Sequence, residues 1–360
     1  MKPRAAGANI SDAMASADDI FEFSRMRYGA RDFAPLLVQF EDWRANVPLK
    51  GLEVFDATPI FYNTFPKYAT MLAGGARLTV AIAPAVPNSA EAVESLIRFG
   101  VSVAEASALP PRADIVLDCG GALIETDAKF GYAELTKTGA ARYAQCRKPV
   151  YLADDSRVKE LETSFGTGDG FVRAMKKLGF GDFSGRKILL FGFGKVGRGI
   201  ARACLDAGAD LTIVDDFSRA PSPRRAAAAD LKDLRAVARA AESAWCIVSA
   251  TGVRNALAGI VEAEKICRSR TILANMGVED EFGGGFPAER VLNFKRPLNF
   301  ILDEPTRLKF IAPTLALHNL GALRLLGGGL KAGLNKPSRE DENSVLAQVP
   351  DLRALLEREI

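Results

Sequence analysis

The chain has 360 residues, enough for two ordinary domains, and 48% of them are hydrophobic and 25% charged. Its 47 basic and 44 acidic residues leave a net charge of +3, which is too small to indicate a nucleic-acid surface. We expect a soluble cytoplasmic protein, because no apolar run is long enough to span a membrane and no signal-peptide pattern is present.

The predicted elements begin with a helical stretch that ends at Pro48. Short apolar bursts then alternate with helical stretches as far as residue 121, and a long helix is predicted over residues 160–179. The alternation starts again at Lys187, with a further helix predicted over residues 226–241. Alternating short strands and helices predict an α/β fold, with two Rossmann-like three-layer domains built on parallel sheets.

The stretch "KILLFGFGKVGRGIA" begins at Lys187 and contains the pattern G-x-G-x-x-G between a strand and a helix. Gly192 fits a tight turn, Gly194 a close approach to a pyrophosphate, and Gly197 close helix–strand packing. The next predicted strand ends in Asp215, which is placed to accept hydrogen bonds from the adenosine ribose. The pattern therefore predicts NAD as the cofactor, against the alternative of a glycine-rich turn that binds none.

Five cysteines without close pairing and a single histidine predict reduced thiols and no metal site. With so few histidines, any acid–base chemistry must depend mainly on other side chains.

Several motifs in chain order resemble those of S-adenosylhomocysteine hydrolase (adenosylhomocysteinase). They are "DIVLDCGGAL", "ELTKTGAARY", "VYLADDSRVKELETSFGTGDGFVRAMKK", "SATG", "LANMGVED" and "ALHNLG". The resemblance implies an NAD-binding domain inserted between the parts of a substrate domain. It places the substrate-binding domain at residues 1–158 plus 322–360, the NAD-binding domain at residues 159–321, and a small-molecule substrate in the cleft between them.

The resemblance also implies residues that hold the cofactor. The predicted NAD-binding residues are Gly192, Gly194, Lys195, Val196, Gly197, Asp215, Thr136, Thr138, Thr251, Gly252, Asn275, Met276 and Asn319. Asp215 stands where the family has a Glu, which is a conservative difference.

The substrate side departs from the family pattern. The catalytic acid of the family corresponds to Cys119, and its ribose-binding Glu to Leu135. No histidine stands where the family has three, two of which correspond to Val278 and Leu326. This sequence is therefore interpreted as a divergent member that lacks the catalytic histidines of the family.

Four residues are candidates for the missing acid–base roles: Lys159, Asp118, Glu134 and His318. Lys159 matches a family lysine and could act as a base for a hydroxyl group, or it could be a surface lysine in a charged stretch. His318 could be a relocated acid–base group or a histidine satisfied within a helix, and the second interpretation is favoured. The carboxylates could equally be ordinary solvated charges.

Three classes of function follow from this pattern. The first is an NAD-dependent enzyme that performs redox-assisted elimination and addition, or hydride transfer, on a nucleoside, a thioether or another hydroxylated small molecule. The second is an authentic but atypical adenosylhomocysteinase, and the third is a non-catalytic NAD-binding or nucleoside-binding regulatory relative. We favour the first and expect a homo-oligomer, a dimer or a tetramer, with no nucleic-acid or membrane partner.

Overall fold

A computed structural model describes residues 10–84, 86–219 and 222–356 of the chain. Within this part the chain divides into two compact units. The first contains the residues up to Leu161 and those from Leu308 onward, and the second contains Glu162–Arg307. No described helix is long and apolar enough to cross a membrane.

The first unit is built from alternating strands and helices. Its strands are β1 (Glu53–Asp56), β2 (Arg77–Ile82), β3 (Ser102–Glu105), β4 (Arg112–Asp118), β5 (Asp127–Glu134) and β6 (Pro149–Leu152). Its helices are α1 (Ile10–Arg27), α2 (Ala34–Asn46), α3 (Phe65–Ala73), α4 (Ala90–Arg98), α5 (Lys137–Arg142) and α6 (Arg157–Glu160). The predicted first helix is interrupted near Gly29, which precedes a single 3-10 turn at Ala30–Phe33.

The second unit repeats this architecture on a smaller scale. Its strands are β7 (Lys187–Phe191), β8 (Asp210–Asp215), β9 (Ala227–Asp230), β10 (Cys246–Ser249) and β11 (Ile272–Asn275). Its helices are α7 (Thr167–Lys177), α8 (Lys195–Asp206), α9 (Leu234–Ser243) and α10 (Ala263–Arg268). Ala227–Asp230 was expected to be helical, but pairing with the edge of β8 overrides the helix preference of its alanines.

The chain then returns to the first unit through α11 (Leu308–Leu326), β12 (Gly333–Asn335), α12 (Arg339–Leu346) and α13 (Pro350–Arg353). The return was expected at residue 322, but the first unit resumes at Leu308. The physical reason is that α11 is a single helix packed against β5, β6 and α2 of the first unit. His318 and Asn319 therefore belong to the first unit.

Both sheets are parallel throughout, with the orders β12-β6-β5-β4-β1-β2-β3 and β11-β10-β7-β8-β9. The fold class predicted from the sequence is confirmed. In each sheet the strand order reverses beside the first strand, between β1 and β4 and between β7 and β10. Ligands of such sheets bind outside the carboxyl ends of the strands at this reversal, so each unit contains one candidate site.

Candidate functional site

The glycine turn of the second unit joins β7 to α8 at the reversal of strand order. Gly192 has φ of 95°, a left-handed conformation that favours glycine, and a Cβ there would lie 2.5 Å from the Ala250 carbonyl oxygen. A Cβ on Gly197 would lie 2.0 Å from the Gly192 carbonyl oxygen, so only glycine permits this packing of α8 against the turn. Gly194 is exposed, and a Cβ there would contact nothing within 4 Å.

The start of α8 presents backbone donors beside Gly194. The first α-helical hydrogen bond runs from the Arg198 N–H to the Gly194 carbonyl at 2.9 Å. Lys195, Val196 and Gly197 precede that bond, and the first N–H groups of a helix have no intrahelical acceptor. The Lys195 side chain is exposed, whereas Val196 packs partly on the core. The open glycine and these donors fit the pyrophosphate of a dinucleotide.

Asp215 ends β8 and lies against the glycine turn. Its Oδ2 accepts a hydrogen bond from the Phe193 N–H at 2.5 Å, and its Oδ1 accepts one from the Asp216 N–H at 2.7 Å. A carboxylate at this strand end accepts from ribose hydroxyl groups and repels a 2′-phosphate. The next residue, Asp216, accepts hydrogen bonds from Lys232 at 3.0 Å and Ser218 at 2.5 Å, and these contacts lower its pKa to about 2. Two adjacent carboxylates therefore stand at the end of β8, where their negative charge disfavours a 2′-phosphate.

The loop after β10 is organised by Glu281, which sequence reasoning did not single out. The Glu281 carboxylate accepts hydrogen bonds from the Thr251 N–H and hydroxyl at 2.8 Å each and from the Gly252 N–H at 2.7 Å. It also accepts from the Ser249 hydroxyl. Thr251 and Gly252, predicted to bind the cofactor, thus lie in a loop held by a buried acid. Glu281 follows two other acidic residues, Glu279 and Asp280, and nothing in the sequence indicates which of the three is buried.

Asn275, the last residue of β11, holds the loop that follows this strand. Its side-chain amide donates to the carbonyl oxygens of Gly277 at 3.1 Å, Glu279 at 2.8 Å and Lys295 at 2.5 Å. Met276 is buried, and its N–H donates to the Ser249 carbonyl at 2.8 Å. The cofactor roles of Asn275 and Met276 stay predictions, while the contacts they make here fix the loop.

Asp118 and Glu134, two of the predicted catalytic residues, end the neighbouring strands β4 and β5 of the first unit. Glu134 accepts hydrogen bonds from the N–H groups of Gly120, Gly121 and Thr136 at 2.7–3.0 Å. Asp118 accepts from the Tyr143 hydroxyl at 2.6 Å and from the Leu123 N–H at 3.0 Å. Both carboxylates are fully buried, so they hold the loops at this sheet edge.

Burial governs the titration of both carboxyl groups. Burial raises the pKa of Glu134 to about 7, with the nearby Asp118 as the second cause. Burial likewise raises the pKa of Asp118, although the hydrogen bond from Tyr143 opposes that shift.

Thr136 and Thr138 flank the start of α5. The Thr136 hydroxyl caps this helix by accepting from the Gly139 N–H at 3.0 Å and donates to Glu134 at 2.7 Å. Thr138 is exposed on the helix. Thr136 thus has a structural role as the cap of α5, and contact of both threonines with NAD stays a prediction.

The reversal of strand order in the first unit contains a buried ion pair that sequence reasoning missed. Asp56 ends β1, and its carboxylate pairs with Lys67 of α3, with both side chains fully buried. The Thr58 N–H donates to the Asp56 carboxylate at 2.8 Å, and the Tyr68 hydroxyl donates to the Thr58 carbonyl at 2.8 Å. A lysine in "FPKYATMLA", a helix whose nine residues are all buried, was the available signal. Burial lowers the pKa of Lys67, and Asp56 opposes that shift.

Lys159 and His318 both lie in the first unit, and both side chains are buried. Lys159 lies in α6, the short helix after β6, which Ser156 caps by accepting from the Lys159 N–H at 3.1 Å. Its burial is at variance with a surface lysine, while its catalytic role stays a prediction.

His318 of α11 has its Nε2 at 2.8 Å from the Ala133 carbonyl oxygen of β5. Burial lowers the pKa of His318 to about 3, and the positive charge of Lys67 acts in the same direction. A neutral imidazole is a poor proton donor at physiological pH, so this lowered pKa argues against an acid–base role for His318.

Asn319 follows His318 and links α11 to α3 and α2. Its amide nitrogen donates to Gln39 Oε1 at 3.2 Å and to the Lys67 carbonyl at 3.4 Å. Its Oδ1 is buried without a hydrogen-bond partner among the described residues. That acceptor suits an N–H or O–H donor of a ligand, and contact with NAD stays a prediction.

Comparisons with known proteins agree with this geometry. Residues 180–283, which include the glycine turn, match a protein-family model described as putative NAD(P)-binding. The chain is therefore an α/β protein with a dinucleotide-binding unit, and the prediction of NAD as its cofactor is confirmed.

Curated relatives are similar over about two thirds of this chain. S-inosyl-L-homocysteine hydrolase of Methanopyrus kandleri is 29% identical over 287 residues, which cover 69% of this chain and 64% of that protein. Adenosylhomocysteinase of Thermoplasma acidophilum is 26% identical over 283 residues, which cover 69% and 67%. The matched region spans about two thirds of the length of these relatives. The chain is therefore similar to these homocysteine hydrolases, at 26–29% identity.

Among solved structures, a dipicolinate synthase polypeptide from Bacillus halodurans is similar with a TM-score of 0.42 and 12% identity, over 86% of this chain and 96% of that one.

Proposed function

We propose that this protein is an NAD-dependent enzyme of adenosylhomocysteinase type that acts on a nucleoside, a thioether or another hydroxylated small molecule. The observation that carries the proposal is the glycine turn with Asp215, in a chain whose relatives are named as hydrolases of adenosylated or inosylated homocysteine. Bound NAD would accept a hydride from a carbon that bears a hydroxyl group. The chain's own residues must then bind the substrate and move protons.

Proton transfer in this proposal rests on Lys159 rather than on a histidine. Asp118 and Glu134 already accept two or more hydrogen bonds from their own loops, which favours a structural role for these carboxylates. Lys159 is buried and follows the carboxyl end of β6, the edge at which a parallel sheet binds its ligands. We assign it the role of base for the hydroxyl group that is oxidised.

Cofactor reduction tests the proposal directly. The NAD-loaded protein is mixed with S-adenosylhomocysteine, S-inosylhomocysteine, adenosine or inosine, and the near-ultraviolet absorbance of NADH is followed. A transient NADH signal with at least one compound is expected, and a thiol reagent then reports whether homocysteine is released.

The outcomes separate the three classes of function. Cofactor reduction without thiol release from either thioether supports hydride transfer or a changed substrate. Rapid thiol release from S-adenosylhomocysteine identifies an authentic adenosylhomocysteinase. Full NAD occupancy without reduction by any compound contradicts the proposal and favours the non-catalytic class.

The variant Lys159→Met tests the assigned base. It keeps a chain of similar length and removes the amine. We expect it to retain bound NAD and to lose cofactor reduction on the order of 100-fold or more, the usual contribution of a general base. Unchanged reduction by this variant would remove Lys159 from the mechanism. The expected homo-oligomer stays a prediction, which the molar mass in solution will check.

A further inference from the structure

The only histidine of the chain is held in one tautomer by the backbone. The Ala133 carbonyl, 2.8 Å from His318 Nε2, can only accept a hydrogen bond, so Nε2 carries the proton. In the neutral ring, Nδ1 is then an acceptor with a lone pair. The chain therefore presents a neutral histidine with one fixed acceptor atom.

That acceptor has no hydrogen-bond partner among the described residues, although His318 is fully buried. Leaving such an atom without a donor costs about 1–3 kcal/mol, so buried acceptors of this kind are normally satisfied. The titratable and charged groups that act on the ring are Lys67 of α3, Asp56 of β1 and Lys159 of α6. The two lysines oppose a positive charge on the ring, so Nδ1 stays an acceptor.

Other buried oxygens of the first unit share this property. Thr314 lies one helical turn before His318 on α11, and its hydroxyl has no hydrogen-bond partner among the described residues. The Asn319 Oδ1 and the hydroxyl of Thr58, which follows β1, are in the same condition. Asn319 contacts the Lys67 backbone, and Thr58 contacts Asp56, the ion-pair partner of Lys67. Thr58 and Asn319 thus lie beside the ion pair at the reversal of strand order, where a parallel sheet binds its ligands, and the same ion pair acts on the His318 ring.

We propose that His318 is a substrate-binding residue whose Nδ1 accepts a hydrogen bond from an O–H or N–H group of a nucleoside and transfers no proton. The nitrogen discriminates between ligands that carry a donor at that position and ligands that do not. A site built to bind a donor rejects an analogue without it, because its own acceptor is then left unsatisfied. The inference rests on the proposed function only for the choice of a nucleoside as ligand.

The single histidine makes the nitrogen directly observable. In the NAD-loaded protein labelled with ¹⁵N-histidine, one residue supplies both imidazole resonances. The probes are adenosine, 2′-deoxyadenosine, 3′-deoxyadenosine and purine riboside, and each of the last three lacks one donor group. We expect adenosine to shift the Nδ1 resonance saturably. We also expect one analogue to leave it unshifted and to bind at least about tenfold more weakly.

Two variants separate the two ring nitrogens. His318→Gln reaches the Ala133 carbonyl with an N–H but has no acceptor at the Nδ1 position, so it should bind adenosine and the discriminated analogue within about threefold of each other. His318→Asn retains an acceptor near the Nδ1 position and should keep part of the discrimination.

An Nδ1 resonance that none of the four probes moves overturns the proposal, as does full discrimination by His318→Gln. The resonance needs no turnover, so these results are distinct from a failure of cofactor reduction, which would overturn the proposed function alone.

Discussion

The neutral state of buried His318 predicts how stability depends on pH. Its pKa is lowered from an ordinary value of 6.5 to about 3 in the folded protein, first by burial and then by Lys67. Between these two values the unfolded chain binds the proton and the folded chain does not. Stability from this residue is therefore present above pH 6.5 and is lost as the pH falls below it.

The magnitude follows from the two pKa values. Each unit of difference is worth about 1.4 kcal/mol, so lowering the pH from about 7 to about 5 removes about 2 kcal/mol of unfolding free energy through His318. His318→Gln keeps a donor for the Ala133 carbonyl and does not titrate. The natural chain should lose about 2 kcal/mol more than this variant over the same pH range.

The comparison with the variant is necessary because Glu134 acts in the opposite direction. Burial raises its pKa from 4.5 to about 7, so its contribution to stability is complete below pH 4.5 and is lost as the pH rises through 7. In the natural chain the pH dependences of stability from Glu134 and His318 have opposite signs. Only the difference in unfolding free energy between the natural chain and the variant isolates the contribution of His318. Urea unfolding of both at the two pH values measures it. Equal losses in the two proteins would refute the reasoning.

Four further substitutions test other parts of the structure. Gly194→Ala should unfold like the natural chain, because its Cβ contacts nothing, yet bind NAD at least about tenfold more weakly by calorimetry, since the backbone can no longer approach the pyrophosphate. Gly199→Ala is the contrasting change, because its Cβ would lie 1.8 Å from the Ser164 carbonyl oxygen; we expect a loss of about 1–3 kcal/mol in urea unfolding. Lys67→Met leaves the buried Asp56 charge unpaired and should cost about 3–5 kcal/mol, most of it recovered when Asp56→Asn is added. Asp215→Ser should narrow the preference for NAD over NADP in equilibrium binding, and an unchanged ratio would show that this carboxylate does not exclude the 2′-phosphate.

The sequence was most informative where backbone geometry requires a particular residue. The glycines after β7 and the acid that ends β8 were placed correctly at the end of a strand, because their spacing follows from one strand, one turn and one helix. Elements that depend on long-range packing could not be predicted from local spacing in the same way. The short strand Ala227–Asp230 forms because β8 has an edge to pair with, and no local pattern distinguishes its alanines from helical ones.

The candidate site of the first unit was harder to predict for a related reason. Asp56 and Lys67 are 11 positions apart, and their pairing depends on how α3 packs against the end of β1. His318 lies 185 positions from the carbonyl that fixes its tautomer, so its role depends on the return of α11 to the first unit. The sequence left an acid–base role open for this histidine while favouring a structural one, and its contacts indicate a neutral ring with one acceptor atom.

These contacts change what must be explained about the missing family histidines. The surroundings of His318 argue against its replacing them, because burial lowers the pKa of the ring to about 3 and a neutral imidazole is a poor proton donor at physiological pH. Asp118 and Glu134 do not replace them readily either, because each would have to give up hydrogen bonds to its own loop before binding a substrate. Among the four candidates taken from the sequence, this leaves the amine of Lys159. A pH profile of cofactor reduction governed by a single lysine-like group would agree with that reasoning, and a profile governed by a group that titrates near pH 6.5 would not.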